Sequence, residues 1–339
     1  MNRKLGSIRE QSMRDTKAMP HHPKKPHLLT TRTAKRLGLC AAILGALLIS
    51  SAPAFAKKAT IGDQAYQAFE DGHYLTALKL AKQAAAKGEA QANTLVGRIY
   101  AGGHGVPQDM KQAANWYAKA AAKNDVHALV ALGHFYAKGI GVKRDAKKAA
   151  DLFKRGAKKG EPQAQYNLAL LYASGGGLKE DLKQTFTWMQ AAAKQDLAVA
   201  QYGLGTLYAL GQGTPKDPQK AAHWTGKAAK AGHPTAQLEY AIMLFKGRGV
   251  AKNQKTAFSY FKSSALKGNP IAQNRLARLY AYGISTEPDP VEAAKWHLIA
   301  RGAGITDMKM DIFLANLPKD MMAKAKKRVE ESKAADDLY

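Results

Sequence analysis

The chain has 339 residues, a formal net charge of +26 and a single cysteine, Cys40. This length suits two ordinary domains or one long array. One cysteine excludes a disulfide framework and a thiolate metal centre, and Cys40 lies in an apolar leader, so a chain without that leader has no cysteine for catalysis.

Residues 1–36 carry ten Lys or Arg against Glu10 and Asp15. Residues 37–52, LGLCAAILGALLISSA, are uninterruptedly apolar, and Ala54-Phe55-Ala56 then offers small residues at the two positions that a signal peptidase reads. A basic region, a short apolar core and a small-x-small site make a signal peptide, with cleavage expected between Ala56 and Lys57. The stretch is shorter than the roughly 20 residues that span a bilayer comfortably. Export to the periplasm or medium is therefore expected; an uncleaved segment would instead leave the chain anchored by its N-terminus. From Lys57 onward, 42 basic and 24 acidic residues leave +18 on the remaining chain. That charge attracts anionic surfaces, although lysines spread over many helical outer faces also serve solubility alone.

Tyr66, Phe69, Gly72, Tyr74, Ala77, Leu78 and Ala81 read as a pair of helices with a short connector. A 36-residue period then governs the chain. Glycines fall at 103, 139, 175, 211, 247 and 283, with a second glycine two places on in each copy except at Ser285. An acid or amide follows at Asp109, Asp145, Asp181, Asp217, Asn253 and Asp289, and a large apolar residue at Trp116, Leu152, Trp188, Trp224, Tyr260 and Trp296. In each copy the first glycine ends one helix in a left-handed cap, and the acid or amide opens the next as its N-cap. Asp217-Pro218 and Asp289-Pro290 support that placement, because proline fits the first helical position. Small residues at Ala120, Gly156, Ala192, Ala228, Ser264 and Ala300 allow close helix approach, and the tryptophans are expected in the interior. Each unit is an antiparallel helix pair, and stacking buries a continuous core. The period stops after Gly304. A helical turn around Met310–Leu317 and a run from Lys319 to Lys333 are expected to cap the array. The expected organisation is a signal peptide over 1–56, a solenoid of one partial and six full repeats over 57–304, and a helical cap over 305–339.

The pattern Ala-x-x-x-Leu-Gly-x-x-Tyr-x-x-Gly-x-Gly-Val-x-x-Asp-x-x-x-Ala-x-x-Trp resembles the Sel1-like repeat, a TPR-like family. Ala128, Leu132, Gly133, Tyr136, Gly139, Gly141, Val142, Asp145 and Ala149 match it position by position, and the resemblance covers roughly residues 62–304. It implies an all-α, right-handed superhelical solenoid and an adaptor role in protein assemblies, often in exported bacterial proteins. It also implies that the first helix of each unit lines the concave face. Cysteine-rich relatives bind penicillin-like compounds, but their paired cysteines are missing here, so that activity is not carried over.

No catalytic constellation emerges. The Gly-x-Gly-Val loops follow helices rather than strands and lack a following Gly-Lys-Ser/Thr, so they read as connectors rather than phosphate cradles. Ser264-Ala265-Leu266-Lys267 spells Ser-x-x-Lys, yet Ser264 occupies the small interhelix position. The histidines show no metal-ligand spacing. No cofactor is expected. On the first helices, the less regular positions Arg98, His134, Tyr166, Tyr202, Glu239, Arg275 and Arg278 are the candidate binding residues. The two tyrosines compete with a packing role between units, and arginines are the more usual interface anchors. The favoured reading is a non-enzymatic scaffold that binds protein partners of the cell envelope on its concave face. The alternatives are a module for anionic envelope polymer or lipid and, third, a hydrolase of cell-wall or β-lactam chemistry. Export removes the chain from nucleic acid, so none is expected as a partner.

Overall fold

The computed structural model describes residues 59–336, with side chains to residue 332. The leader and its expected cleavage site at Ala56 and Lys57 lie outside the described residues. Sixteen helices and no strands make up the described chain. A first pair, α1 (Ile61–Glu70) and α2 (Tyr74–Ala86), is followed by six pairs of near-identical length. These are α3 (Ala90–Gly102) with α4 (Met110–Ala122), α5 (Val126–Lys138) with α6 (Ala146–Lys158), and α7 (Pro162–Ser174) with α8 (Leu182–Lys194). The series continues with α9 (Ala198–Leu210) and α10 (Pro218–Lys230), α11 (Pro234–Lys246) and α12 (Gln254–Leu266), and α13 (Pro270–Ala281) and α14 (Pro290–Gly302). The chain closes with α15 (Met308–Ala315) and α16 (Lys319–Asp336). Among the described residues, no helix is long and apolar enough to cross a membrane.

The periodic residues do the work their chemistry suggests. Asp109, Asp145, Asp181, Asp217, Asn253 and Asp289 are all N-caps whose side chains accept from first-turn amides. Such caps are each worth about 1 kcal/mol. The backbone N–H of the same residue donates back to the last turn of the preceding helix, for example Asp145 to the carbonyl of Tyr136 at 2.9 Å, which fixes the connector. The second glycine of the connector has a steric reason beyond its positive φ. At Gly141, Gly177, Gly213 and Gly249 a Cβ would collide with the backbone carbonyl of Met110, Ala146, Leu182 and Pro218 in turn. Each connector is thus seated on the first residue of the preceding unit's second helix. Ser285 keeps the left-handed conformation at φ 65°, a strained setting for a residue with a Cβ.

Alanine fills the seam between helices: Ala120, Ala192, Ala228 and Ala300 are fully buried, as is Ser264. The clusters around Leu95, Leu129, Leu168, Leu204 and Leu276 form a core that runs through the stack. Only Trp296 of the four tryptophans is buried. Trp116, Trp188 and Trp224 press one side on the core and remain half-buried. Lys119 lies 3.9 Å from the Trp116 ring centroid and Lys227 5.1 Å from that of Trp224. The expected interior position therefore holds in full for one of them.

Helices pack chiefly on the helices before and after them in sequence. Within the repeats, the further contacts that stand out join first helices, α1 with α3 and α5 with α7. At these two junctions the first helices approach one another more closely than the second helices do, as the resemblance implies for helices of the concave side.

Candidate binding surface

Two hydrogen-bond ladders hold one unit to the next and consume much of the polar inventory. Gln165, Gln201, Gln237 and Gln273 recur every 36 residues and are buried. Each donates to the carbonyl of Ala157, Ala193, Ala229 or Ala265 near the end of the preceding second helix, at 3.2–3.4 Å. A second ladder joins the ends of successive second helices. Lys123 donates to the Gly88 carbonyl at 2.8 Å, Arg155 to that of Ala121 at 2.6 Å, Gln195 to that of Gly160 at 2.9 Å and Lys267 to that of Gly232 at 3.1 Å. Cations suit this place, because helix C-termini carry partial negative charge and unpaired carbonyls. Part of the basic excess is therefore structural.

The seven candidate residues occupy three positions of the first-helix template, and the surroundings divide them. Tyr166 is only 8% exposed and belongs to the core, which removes it as a surface residue. Tyr202, at the same template position, stacks on His233 at 4.9 Å and donates to Glu239 Oε1 at 3.1 Å. The pair thus spans two units, and the Glu239 carboxylate is already engaged. Arg98 lies over the Phe69 ring at 4.5 Å and 3.9 Å from Glu70 Oε1, tying α3 to α1.

His134 sits edge-on to Phe153 and 3.1 Å from the Asn167 side-chain amide of the next unit. With the amide nitrogen facing the ring, Nε2 acts as acceptor. Burial, helped by the Lys138 charge, pushes the imidazole pKa down to about 4. The ring is therefore neutral near pH 7.

Arg278 Nε donates to Asp307 Oδ2 at 2.6 Å, and Asn274 donates to the same oxygen at 2.8 Å. The Arg278 guanidinium holds the nearly buried Asp307 carboxyl well below the usual carboxylate range. Asp307 also caps α15, so this cluster ties the last repeat to the closing helices. Arg275 remains exposed on α13.

Arg275 and Arg278 share one cleft, of about 230 Å³, between α11 and α13. Its other walls are Ile242, Phe245, Lys246, Phe261, Leu279, Tyr282 and Ile284. Arg98 and His134 belong to the first two full repeats and do not reach it. The cleft has one signal in the sequence: Phe245 stands where the five other full copies have alanine, at 101, 137, 173, 209 and 281. Lys246, Tyr282 and Ile284 lie at positions that vary freely between copies, so the period gave them no emphasis.

The cleft presents apolar surface and cations, an arrangement for recognition. Among the described residues, no three His, Cys, Asp or Glu side chains are grouped to hold a metal ion. Ser264 is fully buried, and Lys267 points to Gly232 and Gln237 in the ladder, so Ser-x-x-Lys is a packing feature.

The Sel1 repeat model matches residues 90–125, 126–161, 162–197, 198–233, 234–269 and 270–304. Among solved structures, the chain is similar to c5321, a protective antigen of uropathogenic Escherichia coli strains with an SLR fold, at 28% identity and a TM-score of 0.70. That match covers 79% of this chain and 61% of the E. coli one, so the chain spans less than two thirds of that relative. It is also similar to a Sel1 repeat protein from Oxalobacter formigenes, at 31% identity and a TM-score of 0.65, covering 71% of this chain and 99% of that one. No curated protein matches the sequence. Sel1-repeat proteins generally act as non-catalytic scaffolds for protein interactions. With six consecutive copies of the repeat in register, stacked as an all-helical solenoid, the chain belongs to the Sel1-repeat family.

Proposed function

We propose that this protein is an exported, non-enzymatic scaffold that binds protein partners of the cell envelope along the inner face formed by its first helices. The observation that carries the reading is the contrast between spent and unspent side chains. Polar residues at most junctions are used in holding units together, whereas the α11–α13 cleft combines apolar walls with an exposed arginine and lysine. Arginine and aromatic residues around an apolar pocket are the usual anchors of interfaces. Export is supported by the basic, apolar and small-x-small order of the leader. The test is retention of envelope proteins by the immobilised chain, judged against a cytosolic extract of the same cells. Selective, saturable retention of defined envelope proteins is expected; equal retention from both extracts contradicts it.

The charge of +18 after the leader favours a second reading, a module that binds anionic envelope polymer or lipid. Exposed ionic attraction is screened over about 8 Å at physiological ionic strength. Binding that vanishes between low and physiological salt would favour the second reading over the first.

A further inference from the structure

The α11–α13 cleft has one uncommitted cation on each wall. Lys246 ends α11, Arg275 stands midway along α13, and among the described residues neither side chain has an ion-pair or hydrogen-bond partner. No acid lines the cleft. Two acids on the same face are engaged: Asp307 accepts from Arg278, and Glu239, at the template position of Arg275, accepts from Tyr202. Between the cations lies an apolar floor of Phe261 and Leu279 with Ile242, Phe245 and Ile284 around it. Ile271, Arg275, Arg278 and Tyr282 form one stripe along α13, and Ile271 and Tyr282 are 49% and 56% exposed. At about 230 Å³ the cleft falls below the roughly 300–1,000 Å³ of sites for drug-sized ligands. It suits one large apolar side chain.

We infer that this cleft receives an acidic peptide segment of a protein partner, with one aromatic or large aliphatic side chain inserted between flanking carboxylates that meet Lys246 and Arg275. The inference rests on the scaffold reading and gives it a site and a partner chemistry. Arg275 can grip a carboxylate in two-pronged fashion, and Lys246 acts as a point charge from the opposite wall. The apolar anchor supplies the desolvated centre, and the charges set orientation and exclude basic segments.

The probe is a fluorescein-labelled peptide Asp-Asp-Phe-Asp-Asp titrated with the full chain and followed by anisotropy. It should bind at least tenfold more tightly than peptides with alanine at the centre or asparagine at the flanks. The double variant Lys246→Glu/Arg275→Glu should lose at least tenfold and gain affinity for Lys-Lys-Phe-Lys-Lys. Unchanged helical circular dichroism would establish that the variant is folded. Reversal of two exposed lysines elsewhere, Lys147→Glu/Lys148→Glu, should leave the affinity within twofold. Equal binding of the alanine-centred peptide, or equal loss from both reversals, overturns the inference in favour of a diffuse basic field. Phosphatidylglycerol vesicles that displace the peptide from the unsubstituted chain overturn it in favour of a lipid site. If the cleft-reversed variant retains the same envelope proteins as the unsubstituted chain, the cleft falls and the scaffold reading stands. If the unsubstituted chain retains none, the scaffold reading falls, and the peptide series still judges the cleft.

Discussion

The junction between the second and third full repeats and the junction between the fifth and sixth are built from one template, yet the first is closed and the second open. Positions three repeats apart correspond. His134 becomes Ile242, Ala137 becomes Phe245, Asn167 becomes Arg275 and Ser174 becomes Tyr282, while Phe153 and Phe261 are shared. In the earlier junction His134 and Asn167 are within hydrogen-bond distance, and the Phe153 ring backs the histidine. In the later one isoleucine has no polar atom to offer, and Arg275 turns outward. Phe245 sits 6.4 Å from Phe261, centroid to centroid, and both rings line the cleft. The scaffold tolerates both because the stacking contacts lie elsewhere and recur: buried Ala157, Ala164 and Leu168 in the first junction match Ala265, Ala272 and Leu276 in the second, and both keep the glutamine ladder.

The shared aromatic is where the largest effect is expected. Phe153→Ala removes a buried ring from the closed junction and should cost about 3–5 kcal/mol by chemical denaturation. Phe261 is buried to the same degree, yet Phe261→Ala should fall at the low end of that range, since the space it leaves would join the adjoining cleft rather than form a closed cavity. A larger loss at Phe261 would deny that the later junction is the more open.

Next comes the tie that closes the array. Asp307→Asn leaves Arg278 without its counter-charge and should cost about 1.5–3 kcal/mol near pH 7. The folded carboxyl is held below its unfolded value, so its contribution is present above about pH 4 and is lost as pH falls toward the folded pKa. The variant should therefore show a flatter loss of stability in acid than the unsubstituted chain. Identical acid profiles would mean that the ion pair contributes nothing.

A smaller, local effect separates the junctions by pH. The His134 pKa is lowered to about 4, below an unfolded value of about 6.5, so the unfolded chain binds the extra proton first. Its contribution is complete above about pH 6.5 and declines toward pH 4, by at most about 1.4 kcal/mol per pH unit. Hydrogen-exchange protection, taken relative to the intrinsic exchange rate at each pH, should fall in α5 and α7 between pH 6.5 and 5 more than in α11 and α13, where isoleucine replaces the histidine. His134→Gln should remove the difference. Equal loss of protection at both junctions would show that the histidine is not its source. The smallest change belongs to the outer ladder. Lys267→Met should cost about 0.5–1 kcal/mol, the scale of a cation at a helix end, read from the denaturation midpoint.

Architecture was legible because each periodic residue satisfies a local need. Asp109 caps the helix it precedes, Gly103 ends the one it follows, and neither depends on distant chain. Asp196, the odd residue in the series Asn124, Gly160, Gly232, Gly268 and Gly304, keeps the same left-handed backbone at φ 60°. The binding surface was legible only in outline, because side chains on one template position meet different neighbours. Tyr166 is enclosed in the core cluster with Ala169, Met189 and Ala200, whereas Tyr202 is half-buried, stacks on His233 and donates to Glu239. Arg278 looked available until Asp307, beyond the last period and out of its register, proved to be its partner. The glutamine ladder was visible as a repeat but carried no hint that its side chains turn inward. Phe245 was the departure that mattered, and it breaks a column of alanines.

The most direct test is to close the open junction with the residues of the closed one. The triple variant Ile242→His/Phe245→Ala/Arg275→Asn should fold with unchanged helical content and lose the envelope proteins that the unsubstituted chain retains, as read by quantitative mass spectrometry of the bound fraction. Full retention of the same proteins by a folded triple variant would place recognition elsewhere on the solenoid.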